Sequence, residues 1–368
     1  MPNNETDAEI RELLIEKACS VQKADAALVN KRAATVIGRE AFWFSELEKT
    51  LRSVFRKGWA TPKQYRGKKA AYSERADNIV LGDLHFGAGL DPEECPLQYS
   101  TIEESRRLGK VAVQTAEYKP NYRDKSKLII HLIGDLIQGN NHDAREGTIL
   151  TDQFAASVQY LTQFIMYEAG AFPRVEVYCT PGNHGRNTAR HPEQPIQQKY
   201  DSFETMIYVA IQNAVKASGL DNVQFFNSKR PYYTVNIFGN GVFATHGDTV
   251  LNIGNPGKQI NTKGFYQQIC RWNAAKNIKG PFKLFLAGHM HIGSITDLPG
   301  DTVMLINGCL VPPDSYALSI GIPDATNGQY LFESTRDYVC GDRRFIGVED
   351  ADSDAEYNKV IRPYEGLR

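Results

Sequence analysis

The sequence predicts an α/β fold, a sandwich of two sheets flanked by helices. Three observations carry that expectation. Short apolar runs recur from Asp77 onward, and several end in a polar motif containing glycine. Helix-period stretches separate the first of these runs. Beyond Ala217 short strands dominate. Strands alternating with helices, followed by a strand-rich half, are the pattern of two packed sheets with helices outside them.

Each element follows from its own residues. NIVLGDLH (78–85) reads as strand then loop, 102–117 as helix, and 127–135 as a buried strand that delivers Asp135 to its C-terminal end. Residues 154–168 space Phe154, Val158, Leu161 and Ile165 on one helical face. A strand over 175–180 ends in PGNHGR, and 203–217 is helical. Short strands follow at 223–226, 232–238 and 242–245, then a helix near 259–275. A strand over 282–287 ends in GHMH, and the last strands are 303–306 and 330–333. No internal repeat or low-complexity tract appears. The chain thus divides into a helical, basic module at 1–75, a main domain at 76–350 and a polar, loosely held tail at 351–368.

In the first 75 residues, Ile10, Leu13, Leu14 and Ala18 mark an amphipathic helix that Asp7 can cap. A second helical stretch, 25–56, breaks near Gly38, and its apolar face (Phe42, Trp43, Phe44, Leu47, Leu51, Val54, Phe55) reads as helix packing. Between Lys49 and Arg75 nine basic residues stand against one acid, Glu74, with Phe55, Trp59, Tyr65 and Tyr72 interleaved. That charge is either the footprint of a phosphate-backbone binder or a solvated linker, and the two readings are compatible.

The 368 residues carry a net charge of −1, which excludes a global field toward nucleic acid or membrane. The six cysteines are scattered and none forms CxxC, which argues against a disulfide frame or a thiolate zinc site. The N-terminus is polar and acidic, without a signal-peptide pattern, and no apolar run approaches the ~18 residues of a membrane span. The expectation is a soluble, cytoplasmic protein without membrane contact.

Five stretches place metal-competent side chains just after an apolar run: Asp83 and His85 in GDLH, Asp135 in GD, Asn183 and His184 in GNH, His246 in THGD, and His289 and His291 in GHMH. Each is weak alone. A lone histidine in an apolar run, such as His131, is ordinarily a satisfied core residue. Together the stretches hold five of the eight histidines. Carboxylate, imidazole and amide donors without thiolate suit Mn²⁺, Fe or Zn²⁺, with Mg²⁺ also admitted.

The order DxH, GD, GNH, a lone His and GHxH resembles the calcineurin-like metallophosphoesterase superfamily over about residues 77–310. The resemblance implies a four-layer α/β/β/α sandwich with a dinuclear metal site. It implies that Asp83, His85 and His291 hold one ion, that Asn183, His246 and His289 hold the second, and that Asp135 bridges both. His184 then matches the family's proton donor to the leaving oxygen. Two such ions clamp the attacking and leaving oxygens of an in-line displacement.

The chain also departs from the family pattern. Many members follow GNH with an acid that orients the histidine; here Gly185 follows, and the orienting partner of His184 is open. Arg186 can bind a phosphate oxygen through its planar fork or pair with a surface acid. Repair nucleases often carry a histidine three residues after GD and protein phosphatases carry DxxDRG; this chain has Gln138 and Gly139, matching neither. His142 and Asp143 can reach the site from the loop, with His142 as a substrate contact. His191 reads as a surface-loop residue. The GNHGR and NGCLVPPDSYA segments look most like bacteriophage-encoded members, alongside the DNA repair exonuclease branch.

The leading expectation is a dinuclear-metal phosphodiesterase, a DNA nuclease using in-line attack by a metal-bridging hydroxide, with two divalent ions and Mn²⁺ favoured. A phosphomonoesterase or small (cyclic) nucleotide phosphodiesterase is the first alternative, and a catalytically inactive nucleic-acid-binding accessory protein the second. DNA is the expected partner, with self-association open and the host cytoplasm as the setting of a phage-encoded chain.

Overall fold

Four apolar runs set the first sheet: β1 (Arg75–Leu81), β2 (Lys127–Leu132), β3 (Arg174–Cys179) and β4 (Val223–Asn227). They pair in parallel, with one row running Ile79, Ile130, Val177 and Phe225. Strands covered on both faces are mostly apolar, and every residue of β1 is buried. Its polar members are paired: Arg75 meets Asp77 at 2.9 Å and Glu333 at 2.7 Å. The computed structural model describes residues 65, 74–95, 97–118, 127–139, 147–186, 199–251, 253–254, 260–278 and 280–366. The chain divides into two units, 1–52 and 53–368, and all described residues belong to the second. The expected helices of the N-terminal module, and the basic stretch apart from Tyr65, Glu74 and Arg75, lie outside the described residues.

Three helices cover this sheet. α1 (Thr101–Glu117) starts at a capping box in which the Ser100 side chain and Glu103 satisfy each other's backbone N–H groups. α2 (Leu150–Ala171) is buried along most of its length and packs on α1 and on α3 (Phe203–Ala217). Ser202 caps α3 by accepting from the Glu204 N–H at 3.2 Å.

The second sheet contains β5 (Tyr232–Ile237), β6 (Asn240–Thr245), β7 (Phe282–Ala287), β8 (Ser294–Leu298) and β9 (Thr302–Ile306), in the order β5-β6-β7-β9-β8. β6, β7 and β9 are parallel, and the edges β5 and β8 are antiparallel. One apolar cluster joins Val80 and Ile129 of the first sheet to Val242, Leu284 and Leu305 of the second, so the sheets face each other. On the far side, Phe265 and Ile269 of α4 (Thr262–Ala274) pack on Phe243 and Phe285. The result is the expected pair of sheets flanked by helices.

A short α5 (Ser315–Ser319) precedes β10 (Gly328–Thr335) and β11 (Gly341–Gly347), which complete the first sheet in the order β11-β10-β1-β2-β3-β4. The strands β8 (SITDL) and β11 (GDRRFIG) were not expected from the sequence. Both are polar edge strands, so neither shows an apolar run.

The tail departs from the expectation of a loosely held segment. Residues 349–353 and 355–359 form two 3₁₀ turns against α1, with Ala351, Ile361 and Tyr364 buried. The guanidinium of Arg107, itself fully buried, grips Asp352 at 2.6 Å and donates to the Leu310 carbonyl at 2.6 Å. Polar composition concealed this packing because its anchors are ion pairs with a few apolar contacts.

His131 is the satisfied core histidine its surroundings suggested. Asn78 uses its amide NH₂ on Ser334, which leaves its Oδ1 to accept from His131 Nε2 at 3.2 Å. His131 Nδ1 then accepts from the Tyr233 hydroxyl at 2.7 Å. Burial holds the imidazole down to about 3. Among the described residues Cys179, Cys270, Cys309 and Cys340 are free thiols, and no helix is long and apolar enough to cross a membrane.

Candidate metal centre

Every candidate ligand lies just beyond a parallel strand. Asp83 and His85 follow β1, Asp135 follows β2, and Asn183 and His184 follow β3. His246 follows β6, and His289 and His291 follow β7. Open α/β sheets bind ligands beyond the carboxyl ends of their strands. Facing sheets bring two such sets of ends together.

The chain turns sharply as it leaves these strands. Asp83, His85, Asp135, His289 and His291 have φ of 52°, 48°, 50°, 70° and 53°. An L-residue there is strained by roughly 1–2 kcal/mol, and such strain concentrates at functional sites. Main-chain bonds hold the turns. Leu84 N–H donates to Asp135 O at 2.8 Å, Leu310 N–H to Asp83 O at 2.9 Å, and Thr326 N–H to His291 O at 2.9 Å. Gly182 allows the closest approach, because a Cβ there would collide with the Asp135 carboxylate.

Two ligand groups result. Ligand atoms of Asp83, His85 and His291 lie within 4.8 Å of one another, as do those of Asp135, His246 and His289. His85 Nδ1–H donates to Gln138 Oε1 at 2.8 Å, which turns Nε2 toward His291 Nε2 at 3.2 Å. His246 Nδ1–H donates to the Ile133 carbonyl at 3.0 Å. Its Nε2 then faces Asn183 Oδ1 at 3.0 Å and Asp135 Oδ2 at 3.0 Å. Asp135 joins the halves, since it also groups with His85 and His184 within 4.8 Å.

The electrostatics repeat in both halves. Burial opposes a charge on His246, yet Asp135 carries it up to about 9. Burial and the adjacent His246 push His289 down to about 4. Burial also lowers His85, helped by His184 and His291, whereas His291 is raised against burial by Cys309 and Asp83. Against burial, His246, His184 and His85 hold Asp135 well below the usual carboxylate range. In each half one imidazole is raised and its neighbour lowered, so the converging lone pairs favour positive charge. Convergent oxygen and nitrogen donors that need a positive charge fit a divalent cation in each half.

The structure supplies a partner for His184, whose Nδ1–H donates to the Gln138 carbonyl at 2.7 Å. Its ring lies edge-on to His85 with centroids 4.5 Å apart. Arg186 is half-buried and its backbone bridges to Ser202; its Nε has no hydrogen-bond partner among the described residues. It is not joined to the ligand groups by any hydrogen bond or ion pair among those residues. His142, Asp143 and His191 lie outside the described residues.

Three further residues sit around the cluster. Gln138 supports two histidines at once, one through its side chain and one through its main chain. Lys199 and Asp248 form a buried ion pair behind His246 and His289. Glu204, fully buried on α3, accepts from the N–H groups of Leu136 and Gly182, both at 2.6 Å. Its burial and the adjacent Asp135 push its carboxyl up to about 7. No sequence motif contains Glu204; its one signal was an acid in the first turn of the 203–217 helix.

Two facing sheets that gather carboxylate and imidazole donors at their strand ends define a metal-dependent phosphoesterase scaffold. The chain belongs to the calcineurin-like phosphoesterase family, whose model matches residues 79–310. The fold implies divalent metal ions, and the chain carries candidate His and Asp ligands for them. No curated protein matches the chain.

Among solved structures, the chain is similar to a conserved uncharacterized protein from Streptococcus pneumoniae, described as a predicted phosphoesterase. The two are 12% identical over 75% of this chain and 98% of that one, with a TM-score of 0.29. It is similar to a Zn²⁺ complex of Vps29 from Entamoeba histolytica (11% identity, 74% and 99% coverage, TM-score 0.29). It is also similar to a 5′-nucleotidase precursor from Thermus thermophilus (12% identity, 79% and 58% coverage, TM-score 0.33). Membership rests on the family model, not on these distant likenesses.

Proposed function

We propose that the chain hydrolyses phosphodiester bonds of DNA, with Mn²⁺ at the two ligand groups. Asp83, His85 and His291 would hold one ion and Asn183, His246 and His289 the other, with Asp135 shared. When bound, such cations neutralise phosphoryl oxygens and make water acidic enough to attack near neutral pH. His184 would donate to the departing sugar oxygen from Nε2, in its imidazolium form. The observation that carries this role is the hydrogen bond from its Nδ1–H to the Gln138 carbonyl, which commits the opposite nitrogen to the site. That is the geometry a general acid needs.

DNA as the substrate is supported by the nine basic residues between Lys49 and Arg75 and by Arg186, two residues from His184. The same reading places the chain with phage-encoded members, acting in the cytoplasm of an infected cell.

The test is hydrolysis of linear duplex and single-stranded DNA beside a chromogenic phosphodiester, each with Mn²⁺, Mg²⁺ and Zn²⁺ and after chelation. DNA cleavage that requires metal is expected. If only the small ester is cleaved, DNA is not the substrate and a small-nucleotide phosphodiesterase takes its place. Deletion of residues 1–75 should weaken DNA binding and flatten its salt dependence.

A further inference from the structure

We propose that Glu204 is the positioning carboxylate of this centre, reaching from α3 across Gly185 to lock the Asp135 turn and the GNH turn into one unit. The inference rests on the metal-centre reading above and adds a residue from outside the ligand motifs.

The geometry is specific. Leu136, whose N–H donates to Glu204 Oε1, follows Asp135; Gly182, whose N–H donates to Oε2, precedes Asn183. Asp135 Oδ1 in turn accepts from the N–H groups of Asn183 at 2.7 Å and His184 at 2.8 Å. Two carboxylates therefore stitch the same pair of turns, one from each side. Asp135 Oδ2 is left for His246 and the ligand groups.

Only a carboxylate meets this demand, because it accepts on both arms. A carboxamide would aim an NH₂ at one of the two N–H donors. Gly185 is the matching half of the device, since a Cβ there would collide with the Glu204 Cγ. The residue that follows GNH is small because the acid arrives from elsewhere in the chain. Stability alone does not reward this arrangement. Glu204 forms no ion pair among the described residues and lies beside Asp135, a second acid, in a space closed to water. A buried carboxylate is costly to charge, and a cation held by the adjoining ligand groups would offset that cost.

The test is calorimetric titration of metal-stripped, full-length protein with Mn²⁺. Wild type is compared with Glu204→Gln and with Ala210→Gly, a helix-weakening change further along α3. Glu204→Gln is expected to weaken Mn²⁺ binding by about 10–100-fold, the usual effect of losing a group that orients ligands. Ala210→Gly should lower the melting temperature and leave affinity unchanged. Wild-type affinity and stoichiometry in folded Glu204→Gln would overturn the proposal, as would an equal loss in Ala210→Gly. If Glu204→Gln does not fold, Glu204→Asp, which keeps the charge on a shorter arm, is titrated instead, with unchanged affinity again overturning it. Absence of Mn²⁺ binding in wild type is a separate outcome; it removes the metal-centre reading and this inference with it.

Discussion

His184 donates its Nδ1–H to the main-chain carbonyl of Gln138 at 2.7 Å. The acceptor is backbone, so no side-chain substitution at Gln138 removes it. A sequence motif cannot display such a partner, which explains why the orienting group of His184 was not visible among neighbouring acids. The contact also separates two roles that a single residue would otherwise confuse.

Replacing His184 by Ala should lower turnover by about 10²–10⁴-fold on a substrate with a poor alkoxide leaving group. The loss should be much smaller on a nitrophenyl ester, whose leaving group needs no proton. Mn²⁺ stoichiometry should not change. Steady-state rates on the two substrates, beside a metal titration, check this. Loss of one bound ion would instead make His184 a ligand, as its grouping with His85 and Asp135 allows.

Gln138→Ala removes the acceptor that fixes the His85 tautomer and leaves the carbonyl that holds His184. Mn²⁺ affinity should fall by about 10–100-fold. At saturating Mn²⁺ the leaving-group dependence should match wild type. A changed leaving-group dependence at full metal occupancy would mean that the side chain also governs His184.

His131 makes stability sensitive to acid. Its folded imidazole is held to about 3 by burial, whereas an unfolded histidine titrates near 6.5. Between these values the unfolded chain binds the extra proton, so stability rises with pH through that window. Its contribution is complete above about 6.5 and is lost progressively toward about 3. His131→Leu should lower stability at pH 7 by about 1–3 kcal/mol, because Tyr233 and Asn78 lose their partner. Its stability should then vary less with pH than wild type between those limits. Urea unfolding at several pH values measures both effects.

Asp352→Ala should destabilise the fold by about 3 kcal/mol. It strands the Arg107 guanidinium, which is fully buried while the Asp352 side chain is 28% exposed. Because Arg107 also holds the Leu310 carbonyl, and the Leu310 N–H donates to the Asp83 carbonyl, metal affinity should fall as well. Thermal unfolding with and without Mn²⁺ reports both. An unchanged melting temperature would show that the C-terminal turns are dispensable.

The sequence alone determined the architecture and the candidate ligand set. Apolar runs at strand and helix period specify which segments are buried, and the fold's strands end at the motifs that carry Asp83, His85, Asp135, Asn183, His184, His246, His289 and His291. Those residues were legible because each occupies a fixed place after an apolar run. The edge strands β8 and β11 and the C-terminal turns were not, since their stability comes from pairing and ion contacts rather than from a local apolar pattern.

Only the tertiary structure decided how the candidate ligands are held. Gln138 matched no familiar motif, yet it supports His85 and His184 from one position. Glu204 lies outside the motifs altogether and reaches the site only because α3 packs over the GNH turn. Positive φ at five ligand residues is likewise a property of closed turns. The physical reason is common to all three. A metal-binding side chain announces itself by type and spacing, but the groups that orient it act through backbone amides and carbonyls, which every residue carries and which folding alone brings together.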